Sequence, residues 1–471
     1  MITRIRAENF KSWKDTGELQ LAPLTGLFGT NSSGKTSILQ MLLMLKQTAE
    51  SADRNRVLHT GGDDRSLVDL GTFKDLIYNH DLGSHLRLSF SWKLLDPLII
   101  LDSRFDFLDS ATPRLYEIPN LLFDTLIYED VGRVFINSFA YEFNDDSVLG
   151  GQLVRFGMKQ DEKGKERYSL IHDNYDAKRI RGRAWQLPFP VKCYGFPDEA
   201  AGYYQNTGFL PSFNLEFENL FSRVNYLGPL REYPKRSYLW AGDPPIGVGT
   251  RGEKTIAALL AAQSLKLKSK SKSSRRSKLI ENIIRKWMKD MGLVETFDLR
   301  PISEGHKYYE LRVQKNKTSS EVLITDIGFG VSQILPVLVL CYYVPEGSII
   351  LLEQPEIHLH PSVQADLADV LIDVVMNRNV QIIVESHSEH LLLRLQRRIA
   401  EEAIPSDKVN LYFCRMDNGT SKIEKLELDE DGYINNWPPN FFGDSTGELI
   451  AMTEAVMKRK GVISDDEVGS R

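Results

Sequence analysis

The chain has 471 residues, 42% of them hydrophobic and 26% charged, which is ordinary for a globular protein of two or three folding units. The net charge of −6 argues against a uniformly basic nucleic-acid binder, so only a local basic cluster could contact DNA. Three widely spaced cysteines indicate no disulfide framework, and no apolar run reaches the length of a membrane helix, so a cytoplasmic protein is expected.

The first informative segment, residues 24–46, joins a short apolar run, a glycine-rich loop and an apolar-periodic stretch. Residues 24–28 predict a strand and residues 37–46 a helix. Between them GTNSSGKT (29–36) matches the phosphate-loop pattern GxxxxGK[ST]. Backbone N–H groups and a helix N-terminus bind phosphates in such a loop, the lysine reaches the β- and γ-phosphates, and the last hydroxyl contacts Mg²⁺. The predicted residues of this ATP site are Gly29, Asn31, Ser33, Gly34, Lys35, Thr36 and Ser37.

The middle of the chain separates the two halves of this predicted site. Residues 1–90 and 321–445 are predicted to form the nucleotide-binding head, with a β-rich or mixed insertion at 91–225 that contains strand-like runs such as RVFINSFAYEF (133–143). Residues 226–320 are predicted to form a helical subdomain with a basic linker, and 446–471 a C-terminal tail.

The basic residues of that linker are concentrated between 266 and 278. The stretch is typical first of a solvated linker and second of a non-specific contact with DNA phosphates. Arg231 and Arg251 lie in a segment rich in glycine and proline. A contact with nucleotide, a contact with a partner and a solvated loop all stay open for these two residues.

A second glycine-bearing segment, DIGFGVSQILP (326–336), precedes an apolar run that predicts a helix over 333–344. Gly328, Gly330 and Ser332 stand just before that helix, where backbone can approach an anion closely. The alternative is a simple turn before a core helix.

Two apolar runs, 348–352 and 381–384, predict buried parallel strands that end at Glu353 and Glu385. Ligands bind at this end of open α/β sheets, so Glu353 is predicted to hold Mg²⁺. Gln354 can orient a water molecule but cannot accept its proton. In an extended segment Glu356 would point the same way as Gln354 and supply a carboxylate; the alternative is a loop or interface contact. His387 is predicted to donate a hydrogen bond to a γ-phosphate.

Together these motifs resemble the ABC-type ATPase heads of the SMC and overcoming-lysogenization-defect class, an AAA family whose stand-alone prokaryotic members are found in defence systems. GTNSSGKT is similar to Walker A, DIGFGVSQILP to a degenerate signature, SIILLEQPEIHLHP (348–361) to Walker B with its D-loop, and ESHSEHLL (385–392) to the switch-histidine loop. The resemblance implies an α/β P-loop NTPase of the ABC-head type, with a mixed β-sheet and a large α/β insertion.

The resemblance also implies roles for individual residues. It places Thr36 and Glu353 on Mg²⁺ and assigns catalysis to Glu353, Gln354, Glu356 and His387. The usual Asp-Glu pair of the family is Glu353-Gln354 here, which puts the general base in doubt. The signature would bind the ATP of a partner subunit through Gly328, Gly330, Ser332 and Gln333.

The resulting hypothesis is an ATPase that dimerises head to head on ATP, hydrolyses it slowly and controls an associated effector, a nuclease, in prokaryotic defence or DNA maintenance. Assemblies larger than a homodimer stay open. The second hypothesis is a nucleotide-gated scaffold or sensor without useful turnover. The third, a transporter ATP-binding subunit, is weakened by the long insertion and the HLHP-type D-loop.

Overall fold

The computed structural model describes residues 1–63, 66–101, 114–145, 147–148, 150–162, 164–182, 186–268, 272–303, 305–438, 441–442 and 445–459. The strands, numbered along the chain, are β1 (Ile2–Phe10), β2 (Trp13–Asp15), β3 (Leu19–Gln20), β4 (Leu24–Gly29), β5 (Leu86–Leu101), β6 (Arg114–Asp130), β7 (Arg133–Asp145), β8 (Gln152–Gln160), β9 (Tyr168–Asp173), β10 (Val224–Leu227), β11 (Tyr238–Leu239), β12 (Thr296–Pro301), β13 (Tyr308–Gln314), β14 (Val322–Leu323), β15 (Ile349–Glu353), β16 (Gln381–Glu385), β17 (Val409–Asp417) and β18 (Thr420–Lys425).

The α-helices are α1 (Lys35–Glu50), α2 (Phe73–Leu76), α3 (Asp198–Gly202), α4 (Leu210–Ser222), α5 (Thr255–Lys268), α6 (Lys272–Asp290), α7 (Phe329–Tyr343), α8 (Pro361–Arg378), α9 (Glu389–Ala400) and α10 (Ser445–Arg459). No helix in the part of the chain that the structure describes is long and apolar enough to cross a membrane.

A central sheet of six strands, in the order β10-β15-β16-β4-β17-β18, positions the predicted nucleotide site. Its first five strands are parallel and β18 is antiparallel to β17, which makes the sheet mixed. The apolar runs form these strands because both faces are covered: Ile349 and Leu351 of β15 belong to one core, whereas Ile350 and Leu352 belong to the other. The predicted α/β class with a mixed sheet is therefore confirmed.

A large antiparallel sheet, in the order β2-β1-β5-β6-β7-β8-β9 with β3 on β1, packs on one side of the central sheet together with α1 and α4. Strand β1 of this sheet is tied to the central sheet by Gln381 of β16, which is buried. The Gln381 side chain accepts a hydrogen bond from the Ile2 N–H at 2.8 Å and donates to the Ile2 carbonyl at 2.7 Å. The runs predicted as strands inside 91–225 lie in this sheet, and β5 continues across residue 90.

On the opposite side of the central sheet, α5 to α9 form the second core. The range 226–320 contains α5 and α6 but also the strands β11, β12 and β13, so the predicted helical subdomain is a mixture of helices and a small sheet. Its strands alternate polar with apolar residues, as in TFDLRP (296–301), and lack the long apolar runs that marked the central strands. Much of the basic stretch 266–278 is helical, in α5 and α6, rather than a linker; residues 269–271 lie outside the described residues.

The aromatic segment near the C-terminus docks on the central sheet. Phe441 is buried and its ring lies 6.2 Å from that of Phe28 and 4.7 Å from that of Phe413. The predicted tail 446–471 begins within α10, and residues 460–471 lie outside the described residues.

Candidate functional site

The carboxyl ends of four neighbouring parallel strands meet at one edge of the central sheet. Glu353 at the end of β15 is the register partner of Glu385 at the end of β16. The next strand, β4, leads into the phosphate loop, and β10 leads into the loop that carries Arg231. Because parallel strands all end on the same side, the topology brings together residues from four distant parts of the sequence.

The phosphate loop has the backbone geometry that its sequence predicts. Gly29 has φ +133° and Gly34, which precedes α1, has φ +91°. A Cβ atom on Gly29 would lie 1.9 Å from the carbonyl oxygen of Cys414, so only glycine fits against β17 here. The Trp13 indole N–H donates to the Gly34 carbonyl at 3.1 Å and holds the loop from the side of β2.

Lys35 lies folded over this loop. Its Nζ donates to the carbonyl oxygens of Gly29 at 3.1 Å and Thr30 at 2.6 Å, and to Ser33 Oγ at 3.4 Å. Burial lowers the pKa of Lys35, although the nearby charge of Glu385 raises it in part. Ser33 is also buried, and Ser37 donates its N–H to the Gly34 carbonyl within the first turn of α1. Asn31 is exposed at the tip of the loop.

The Thr36 hydroxyl donates a 3.0 Å hydrogen bond to Glu385 Oε1. Glu385 is 1% exposed, and burial together with the charge of Glu353 raises its pKa to about 7. Glu353 accepts a 2.7 Å hydrogen bond from the Tyr226 hydroxyl, and burial raises its pKa as well. Burial and mutual repulsion make it costly for both carboxyl groups to be ionised, and a bound cation would remove that cost.

These residues fit Mg²⁺, which prefers oxygen ligands. Thr36 supplies a hydroxyl and Glu353 and Glu385 supply carboxylates. Glu385 Oε2 is buried and has no hydrogen-bond partner among the described residues, which leaves one ligand atom available. Of the predicted metal residues Thr36 and Glu353, the structure places Thr36 against Glu385.

The segment after β15 is not extended, so the predicted parallel orientation of Gln354 and Glu356 was wrong. Gln354 has φ +43°, and its N–H donates to the Glu385 carbonyl at 2.9 Å. Residues 354–358 form a turn. Gln354 thus stays at the end of the strand pair, while the turn carries Glu356 into the interior.

Glu356 and His387 meet beside the phosphate loop. The His387 backbone N–H donates to Glu356 Oε1 at 2.6 Å, and Glu356 is 6% exposed. Burial raises the pKa of Glu356. Burial, followed by the charge of Lys35, lowers the pKa of His387, so the neutral ring predominates at neutral pH. Glu356 therefore lies in a turn, in agreement with the loop alternative, and its carboxyl group is buried.

Arg231 is buried at this edge as well. Its side chain is 6% exposed, and burial lowers its pKa to about 10, while Tyr226, Glu353 and Glu356 act in the opposite direction. Its Nε and Nη1 atoms have no hydrogen-bond partner in the described ranges. A solvated loop is thus excluded for Arg231. Arg251 lies farther along the same segment, and its backbone carbonyl accepts a hydrogen bond from the Glu232 N–H.

Helix α7 begins at Phe329, four residues earlier than predicted, so Gly330 and Ser332 lie in its first turn and only Gly328 precedes it. Gly328 is exposed and precedes α7. Gly330 lies beside the turn after β15, where a Cβ atom added to it would be 3.8 Å from the His358 carbonyl oxygen. Ser332 and Gln333 are buried, and the Ser332 hydroxyl donates to the Phe329 carbonyl at 2.8 Å. Phe329 is exposed, and its ring contacts those of Tyr233 and His358.

Two residues of this site escaped the sequence prediction. Glu385 was recognised as a strand end but not as a site residue, although its position matches that of Glu353. Tyr226 lies in YLGPLR (226–231), where no local pattern marks a hydrogen bond to a residue 127 positions away.

Sequence comparison gives a family for most of the chain. The model described as AAA ATPase domain (AAA_15) matches residues 1–176 and 252–392, and a model described as protein of unknown function (DUF3696) matches residues 404–451. No curated protein is significantly similar to the chain.

Solved structures with similar architecture include three SMC heads. They are the SMC head bound to the C-winged helix domain of ScpA (TM-score 0.46, 12% identity, 91% of this chain and 98% of that chain), the Smc head with an extended coiled coil bound to the C-terminal domain of ScpA derived from Pyrococcus furiosus (0.40, 11%, 97% and 99%), and the SMC head domain from Thermotoga maritima (0.36, 12%, 91% and 99%).

Proposed function

The chain belongs to the AAA ATPase domain family, and from this premise we propose that it is a slow ATPase that dimerises on ATP and acts as a switch for an associated effector. The observation that carries the proposal is the convergence of the phosphate loop, two buried carboxyl groups and Gln354 at one edge of the central sheet.

In the proposed nucleotide complex, the phosphate loop binds the β- and γ-phosphates. Lys35, whose Nζ now donates to loop carbonyls, would exchange those neutral acceptors for phosphate oxygens. The exchange is favourable because the anion relieves the cost of burying a cation. Thr36 and Glu353 would hold Mg²⁺, which neutralises phosphate charge when bound.

Slow turnover follows from the residue after Glu353. The amide side chain of Gln354 cannot act as a base, and its backbone N–H donates a hydrogen bond to the Glu385 carbonyl. It can orient the attacking water but cannot remove a proton from it. Loss of general-base assistance corresponds to a rate lower by about 10²–10⁴-fold. A long-lived ATP-bound state is the expected working state.

Dimerisation is proposed to use the surface formed by Tyr233, Gly328, Phe329 and His358, which we call the signature face. Its aromatic rings are partly exposed and lie next to the D-loop. Exposed aromatic side chains at the rim of a polar site are typical of an interface with a second protein. Ser332 would hold the turn of this face through its bond to the Phe329 carbonyl.

The effector, a nuclease in prokaryotic defence or DNA maintenance, is proposed from the resemblance of the four motifs to SMC-class and overcoming-lysogenization-defect heads. Non-specific DNA contact through residues 266–278 is part of the same proposal. The second candidate, a nucleotide-gated scaffold without useful turnover, is favoured by one observation: the position of the family's base holds an amide. Both candidates require ATP binding and differ in phosphate release.

The decisive experiment measures phosphate release and dimerisation in ATP for wild type, Lys35→Ala and Lys422→Ala, with and without double-stranded DNA. Lys422 is exposed on β18 and serves as the matched control. Release that disappears in Lys35→Ala but persists in Lys422→Ala supports the ATPase. ATP-dependent dimers without release would favour the scaffold, and a wild type that neither binds ATP nor dimerises would overturn both.

A further inference from the structure

We propose that Glu385, at the end of β16, is a direct ligand of the nucleotide's Mg²⁺ and shares it with Thr36. This inference rests on the proposed function, because it concerns the metal that accompanies ATP. It adds a ligand beyond Glu353, the carboxylate that the strand-end pattern singled out.

The first support is the position of the hydroxyl that P-loops place on Mg²⁺. Thr36 Oγ1 lies 3.0 Å from Glu385 Oε1, so the two oxygen atoms already face one another. Glu353 Oε2, in contrast, lies 2.7 Å from the Tyr226 hydroxyl, on the side toward β10. Of the two strand-end carboxylates, that of Glu385 therefore contacts the hydroxyl expected on the metal, and one oxygen of Glu353 is bound to Tyr226.

The second support is an unsatisfied buried atom. Glu385 is 1% exposed, yet its Oε2 has no hydrogen-bond partner of normal geometry within the described ranges, although the Gln354 side chain lies near enough to this carboxylate to lower its pKa in part. Native proteins rarely leave such an acceptor unsatisfied, and a bound ion can satisfy it in place of a hydrogen-bond donor. A hard divalent cation takes carboxylate oxygen readily.

The third support is the register of the strands. Glu353 and Glu385 are paired across β15 and β16, whose backbones run about 4.8 Å apart in a sheet. Two carboxylates at this spacing repel each other, and a cation between or beside them removes the repulsion. The sheet thus holds a pair of negative groups next to the loop that would carry the phosphates.

Glu385 could instead only orient Thr36, and the variant Glu385→Gln separates the two roles. Glutamine keeps the size of the side chain and an oxygen that accepts the Thr36 hydrogen bond, but it carries no charge and binds metal poorly. A positioning role would survive this change, whereas a ligand role would not. The change also removes a buried charge, so the metal-free fold is expected to tolerate it.

The test measures Mn²⁺ binding by electron paramagnetic resonance in the presence of the non-hydrolysable analogue AMPPNP, for wild type, Glu385→Gln, Glu385→Asp and Glu389→Gln. Glu389 is exposed four residues farther along the chain and controls for loss of one negative charge. AMPPNP affinity in EDTA and the unfolding midpoint are measured alongside. We expect Mn²⁺ affinity to fall by at least about tenfold in Glu385→Gln, to stay at the wild-type level in Glu389→Gln and to be partly kept in Glu385→Asp.

The proposal is overturned if Glu385→Gln binds Mn²⁺ within twofold of wild type while it binds AMPPNP normally. If Glu385→Gln is unfolded in EDTA, the variant Glu385→Asp is used instead. Its carboxylate is one methylene shorter, so Mn²⁺ affinity equal to that of wild type would overturn the ligand role. A wild type that binds no AMPPNP at all would instead overturn the proposed function, so the two failures are distinguishable.

Discussion

The backbone N–H of His387 donates a 2.6 Å hydrogen bond to the side chain of Glu356, which ties the loop after β16 to the turn after β15. Glu356 is buried, and His387 is half-buried beside Lys35. The charge of Glu356 raises the pKa of Lys35, and the charge of Lys35 lowers the pKa of His387. A change in the protonation or position of Glu356 is therefore felt directly by the loop that was predicted to meet the γ-phosphate.

Replacement of Glu356 by glutamine should stabilise the protein in a pH-dependent manner. Burial raises the pKa of Glu356 above its ordinary 4.5, so the charged form costs stability. That cost is absent well below pH 4.5, grows as the pH rises and is complete above the folded-state pKa. The unfolding midpoint of Glu356→Gln relative to wild type should therefore be raised more at pH 8 than at pH 5. A difference that is independent of pH would contradict this explanation.

Conversion of Gln354 to glutamate should raise ATP turnover, by up to about 10²–10⁴-fold, because it restores a group that can accept a proton. Phosphate release at saturating ATP is the measurement, with Gln354→Ala as the control that removes the amide without adding a base. The new carboxylate would stand beside Glu353 and Glu385, so the metal-free protein should also become less stable. Unchanged or slower release would show that Gln354 does not occupy the position of the base.

Substitution of Gly29 by alanine should destabilise the fold by at least about 3 kcal/mol. The new Cβ would lie 1.9 Å from the Cys414 carbonyl oxygen, at a residue whose φ is +133°. Gly132→Ala is the matched control: its φ is +76° but a Cβ would meet nothing within 4 Å, so only the backbone cost of about 1–2 kcal/mol is expected. Urea unfolding of both variants measures the difference, and equal losses would contradict the contact with β17.

Truncation of Phe329 to serine should weaken ATP-dependent dimerisation by about tenfold, as expected for an aromatic side chain at the centre of an interface. Sedimentation of the wild type and the variant in AMPPNP measures this, and Tyr433→Ser controls for loss of an exposed aromatic ring away from the signature face. If both variants dimerise like wild type, the signature face is not the interface.

Local sequence was enough to predict the parts of the site that depend on backbone geometry. The phosphate loop, the two apolar strands and the carboxylates that end them are short-range patterns, because a parallel strand covered on both faces must be apolar along its whole length. The α/β class followed from these patterns, and the register between Glu353 and Glu385 could be inferred from their equal positions.

What could not be predicted depends on contacts between residues far apart in the chain. An extended segment over residues 354–356, in which Gln354 continues the strand, was one of two alternatives for this sequence. A hydrogen bond from its N–H to the Glu385 carbonyl accompanies a left-handed φ instead. The Tyr226–Glu353 bond and the burial of Arg231 are likewise set by the packing of β10 against β15, which no short pattern encodes.

The placement of β4 in the central sheet has a consequence for how the protein is made. Leu24–Gly29 leaves the ribosome long before its two neighbours in the sheet, Gln381–Glu385 and Val409–Asp417. The apolar strand β4 therefore has no hydrogen-bonding partners until the intervening chain has been synthesised. Unpaired apolar strands of this kind fold slowly and promote aggregation. Nascent chains that end before residue 409 leave one edge of β4 unpaired and should depend on chaperones to stay in solution.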